Sequence, residues 1–135
     1  MKKLLIICLV LIPYFGLVAQ DTDYYEYSHV QTGIGVENNG HVNGEDTVFA
    51  LKDGEIEVFI KVSQDTALSL TELNYEVYSG NEYNDFEFEK SLEIGDKEWS
   101  YVYFSINFFK PGSYVVDMYN QEYAFINTAY IVITE

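Results

Sequence analysis

The chain has 135 residues, with 22 acidic side chains against seven basic ones, none of them arginine, and a formal net charge of −15. That balance repels nucleic acid and anionic membrane surfaces, and the lack of arginine removes the usual bidentate clamp for phosphate or carboxylate ligands. The single cysteine, Cys8, excludes an internal disulfide.

The opening stretch, MKKLLIICLVLIPYFGLVAQ, predicts a secretory signal peptide over residues 1–20. Lys2 and Lys3 form a basic start, Leu4 to Ile12 is an unbroken apolar run, and Pro13, Gly16 and Val18-Ala19-Gln20 make a small-residue exit. The apolar run is shorter than the ~20 residues a membrane span needs, so no stable membrane insertion follows cleavage after Ala19 or Gln20. Cys8 follows Ile7 inside the run, which is not a lipidation pattern, and it leaves with the signal. The mature protein, residues 21–135, then has no thiol chemistry, and losing two lysines moves the charge to −17 (five basic against 22 acidic). It is expected to be one domain that stands on its apolar core, exported to the periplasm or beyond.

Residues 21–27, DTDYYEY, read as an acidic, aromatic start. Val30, Thr32, Ile34 and Val36 alternate loosely, and NNGHVNGED, Asn38 to Asp46, is a dense turn cluster. Thr47 to Leu51 is a short strand candidate. In EIEVFIKVS, residues 55–63, Ile56, Val58, Ile60 and Val62 share one face and Glu55, Glu57 and Lys61 the other, the period of a half-buried strand. Leu70 to Gly80 places Leu73, Tyr75 and Val77 opposite Asn74 and Glu76. FEFEKSLEI alternates Phe86, Phe88 and, past Lys90, Leu92 and Ile94 with charged residues; if this strand is at an edge its charges protect it, and if it is not the sheet could accept a strand from a partner. Trp99 to Phe108 is predicted as a strand with two large faces. Residues 113–120 and 123–134 form a closing hairpin. No helical period follows residue 20.

Short strands separated by turns every 8 to 12 residues indicate a sandwich or barrel. The segment KPGSYVVDMYN narrows this choice. Pro111-Gly112 makes a turn, Tyr114 stands where a tyrosine corner would send its hydroxyl back to upstream backbone, and Val116 takes the place that antibody domains give to a cysteine. In these features the last third of the chain resembles the closing strands of secreted bacterial immunoglobulin-like domains. The resemblance implies an all-β, immunoglobulin-like antiparallel β-sandwich of seven to eight strands. It does not choose among adhesin, sugar-binding, spacer and assembly roles.

Candidate chemistry is sparse. His29 and His41 are the only histidines and no G-x-S-x-G elbow occurs, so the reading is non-catalytic. Asn39, His41, Asn43, Gly44 and Asp46 echo a calcium loop, but Ala50 stands where its bidentate acid belongs. No cofactor is required. Calcium is the ion that a looser site would take if Asp21, Asp23, Glu45 and Asp46 converged at the end loops. Trp99, Tyr101 and Tyr103 are the most pointed feature. On one strand face they would form a row of flat rings suited to stacking on sugars, unless that row faces the core or is covered. The expected role is therefore an interaction module of the bacterial cell envelope whose partner is an envelope protein or a glycan.

Overall fold

A computed structural model describes residues 23–80 and 82–135; the predicted signal peptide and Asp21 lie outside them. The described residues form ten strands: β1 (His29–Gly33), β2 (Gly35–Val36), β3 (Val42–Asn43), β4 (Val48–Ala50), β5 (Ile56–Ser63), β6 (Glu72–Ser79), β7 (Asp85–Glu93), β8 (Tyr101–Phe108), β9 (Gly112–Tyr119) and β10 (Phe125–Thr134). The chain is all-β. Of the two strands beyond the expected seven or eight, β2 is the end of the Val30–Val36 alternation and β3 comes from the turn cluster after it. They pair as a small hairpin because Gly40 takes a positive φ of 86° at its tip and Val42 buries its side chain.

Two sheets face each other, one in the order β1-β5-β8 and the other β4-β10-β9-β6-β7. Neighbours β1, β5 and β8, and neighbours β6, β9 and β10, reproduce the A-B-E and C-F-G adjacencies of an immunoglobulin-like sandwich. β7 takes the place beside β6 that variable-type domains give to C′. The leading segment divides between the sheets: β1 runs antiparallel to β5, and β4 runs parallel to the end of β10. Among the described residues no strand lies beside β8 on its far side, the place of strand D in a constant-type domain.

Val58, Ile60 and Val62 of β5 are fully buried and meet Leu73, Tyr75, Val77, Val116 and Met118 of the opposite sheet in one apolar cluster. Period two drives this packing, since every second side chain of each strand points inward. The Tyr114 hydroxyl donates to the Lys110 carbonyl at 2.8 Å, and its ring packs at 4.6 Å on Phe108, so the crossover from β8 to β9 is pinned at both ends of one side chain. Gly112 begins β9 at φ 152°.

Candidate functional site

β8 places its residues on two faces. Val102, Phe104, Ile106 and Phe108 are buried, while Tyr101 and Tyr103 point outward with Lys61 of β5 as the cross-strand partner of Tyr103. The tyrosines are therefore the outer row and the aliphatic row is core. Trp99 is not on this strand, contrary to expectation. Glu98 N–H donates to the Asp96 carboxylate at 2.9 Å, which starts a turn, and the Trp99 carbonyl accepts from Leu68 N–H at 2.8 Å. The turn, and bonds from the loop after β5 to Lys97 and Trp99, hold this segment off the β5 ladder, so strand pairing begins at Tyr101.

The three rings consequently do not make one row. Tyr101 is pinned under the β2–β3 hairpin: Lys61 Nζ lies 4.8 Å from its ring centroid and donates to the Gly40 carbonyl at 2.6 Å. A Cβ at Gly40 would stand 2.8 Å from the Tyr101 ring, so only glycine lets the hairpin tip lie this close. Tyr103 is 47% exposed and Trp99 50% exposed, separated by this occupied tyrosine.

Trp99 instead marks the end of a cleft of about 790 Å³ between the facing edges of β7 and β8. Leu92, Ile94, Val102 and Phe104 give it an apolar floor, with Glu93 and Glu98 on the rim. The indole lies over Gly95, where a Cβ would come within 3.3 Å of the ring. Tyr75 stacks on Phe104 at 4.4 Å and meets Phe88 edge-on at 6.2 Å, so aromatic packing stiffens the base of this open side. Burial pushes the Tyr75 phenol above its ordinary pKa. Among the described residues, neither β7 nor β8 makes a backbone bond outside its one ladder, to β6 and β5 respectively. Both bordering strands thus present unpaired edges to the cleft. The sequence reads Leu92 and Ile94 as continuing the Phe86–Phe88 alternation past Lys90, but assigns them to no site, because the cleft they line is formed by strands that are not neighbours in a sheet.

Among the described residues Asp23 does not converge with Glu45 and Asp46; Asp21 lies outside them. Asp23 opens a turn whose Tyr24 and Tyr25 hydroxyls bond to the carbonyls of Ala67 and Leu68, at the Ser63 end of β5. Glu45 accepts from Gln31 at 3.1 Å, and the Asp46 carboxylate caps the Thr47 and Val48 N–H groups, so both sit beside β1. Among the described residues no three His, Cys, Asp or Glu side chains are placed to hold a metal ion. His29 and His41 are both exposed, and His41 belongs to the hairpin turn, where its N–H bonds to the Asn39 side chain at 3.0 Å.

No family model and no curated protein sequence matches the chain. Among solved structures it is similar to the PmoD soluble domain from Methylocystis sp., at 12% identity and a TM-score of 0.44, over 78% of this chain and 90% of that one. It is also similar to a CARDB domain from Pyrococcus furiosus, solved in complex with di-metal ions. There the identity is 13% and the TM-score 0.37, over 82% of this chain and 96% of that one. The immunoglobulin-like assignment rests on the strand order of this chain.

Proposed function

We propose that the chain is an exported, non-catalytic interaction module of the cell envelope that captures an extended segment of a partner protein in the cleft between β7 and β8. The observation that carries this reading is the pair of unpaired strand edges on either side of an apolar floor. An added strand would hydrogen-bond to the β8 edge and place alternate apolar side chains over Leu92, Ile94 and Phe104. Main-chain bonding supplies affinity in such complexes and the pockets supply selectivity. Export rests on the sequence of residues 1–20, and the non-catalytic reading on a sequence with two histidines and no G-x-S-x-G elbow.

Carbohydrate recognition is the second reading, favoured by the exposure of Trp99 and Tyr103. It would use two separate rings and not a continuous platform of three.

Selection from a displayed peptide library tests both. Wild-type protein should enrich peptides of alternating apolar residues, which quench or shift Trp99 fluorescence and protect β8 amides from hydrogen exchange. Trp99→Ala should weaken their binding about tenfold, as truncation of a central aromatic anchor does. A fluorescence shift and a raised melting temperature with a soluble glycan, and with no peptide, would replace the first reading by the second. A melting temperature raised by calcium and restored by EDTA would instead establish a metal site.

A further inference from the structure

The outer face of the five-stranded sheet carries a second surface that uses none of Trp99, Phe104 or Ile94. Register fixes its rows. Tyr78, Val115 and Tyr130 lie side by side across β6, β9 and β10, and Glu76, Asp117 and Thr128 form the next row. Tyr83, in the β6–β7 turn at φ 58°, reaches over this face. Its hydroxyl donates to the Asp117 carboxylate at 3.2 Å, and its ring meets Tyr78 edge-on at 5.2 Å. Thr128 donates to the same carboxylate oxygen at 2.6 Å. Asp117 is thus taken up in holding Tyr83, and Val115 is buried although it points away from the core. Around this centre Tyr130 is 62% and Phe86 57% exposed.

The charges on this face are arranged against the stability of the sheet. Glu72 lies directly opposite Glu93, and Glu76 directly opposite Glu89, across the β6–β7 ladder. Like charges at that spacing destabilise a sheet. No lysine offsets them. Strands β4, β6, β9 and β10 contain none, and Lys90 of β7, opposite the buried Tyr75, is on the other side of the sheet. A second copy docked through the same face would set carboxylates against carboxylates. A neutral partner would desolvate them without pairing. Lysine and arginine side chains meet both needs, because a cation pairs with the glutamates and also lies favourably on a tyrosine ring.

We propose that this face docks a basic protein surface, whose lysine and arginine side chains seat between the rings of Tyr78, Tyr83 and Tyr130 and pair with Glu76 and Glu89. Calorimetric titration with a short oligolysine peptide, at low and at physiological salt, tests it. Binding should weaken with salt. Glu76→Gln with Glu89→Gln should weaken it about tenfold, as the loss of close charge pairs does. Tyr130→Ala should weaken it about threefold, the worth of one cation–π contact. Glu55→Gln with Glu57→Gln removes the same charge from β5 and the turn before it, in the other half of the sandwich, and should change binding less than about twofold. The Glu76/Glu89 variant should also melt higher than wild type, since repulsion is relieved, which separates lost binding from lost folding. Equal weakening by both charge pairs would overturn the proposal in favour of diffuse attraction to the net charge. So would undetectable binding, or salt-independent binding of a neutral oligosaccharide at Tyr130.

Discussion

Tyr114 shows how one side chain joins local and tertiary order. Its ring packs on Phe108 while its hydroxyl returns to the Lys110 carbonyl. Tyr114→Phe keeps the packing and removes the bond, so urea unfolding should show a loss of about 1 kcal/mol, the net worth of such a bond. Gly40 is a second such position, where positive φ and the 2.8 Å approach to Tyr101 both exclude a side chain. Gly40→Ala should release the hairpin tip from Tyr101, read as faster proteolysis within residues 37–43 with the β5–β8 amides still protected. Tyr114 was legible in the sequence because a corner tyrosine follows its turn at a fixed offset. The contact of Gly40 with Tyr101 was not, since it joins residues far apart in the chain.

Strand β7 shows where alternation misleads. Its Phe-Glu-Phe-Glu pattern reads as half-buried, yet Phe86 and Phe88 are both exposed. A register shift after Val77 turns Phe86 to the outer face beside Tyr78, while Phe88, opposite the inward Val77, lies past the edge of the three-stranded sheet, which ends at β8 among the described residues. What keeps such an edge from pairing with other molecules is its charge. Glu87→Val with Glu89→Val should therefore produce association detectable by light scattering at concentrations where wild type remains monodisperse. In β5 the same periodicity was a faithful guide, with Val58, Ile60 and Val62 fully buried, because that strand is central in its sheet and covered from the other. The Trp99 segment fails for a different reason. Its composition suits a strand, but the Asp96 turn competes for its backbone and wins locally.

Across the molecule, tyrosine ionisation ties stability to alkaline pH. Tyr25, Tyr75, Tyr83 and Tyr119 are raised above the ordinary value of 10 chiefly by burial. Tyr78, whose hydroxyl donates to Glu76 at 2.7 Å, is pushed up to about 12 mainly by that bond. Each folded-state value exceeds the unfolded one, so folding favours the protonated phenol. This contribution is fully present below pH 10 and is lost as pH rises towards about 12. Melting temperature should fall across that window together with the rise of tyrosinate absorbance. At neutral pH the net charge of −15 opposes compaction, so added salt should raise the melting temperature by screening.

Composition and periodicity, which act between near neighbours, determined the all-β class, the inward row of β5, the turn before β9 and the anionic character of the whole, but left open which face of β8 is inward. Tertiary structure alone decided which edges remain unpaired, that Trp99 ends a cleft and does not extend a tyrosine row, and that Asp23 lies apart from Glu45 and Asp46. It also decided that glutamates of two strands face each other beside a cluster of tyrosines. These are consequences of sheet order and register, which bring together residues tens of positions apart, and a pattern that repeats every second residue carries no information about which strand its neighbour will be.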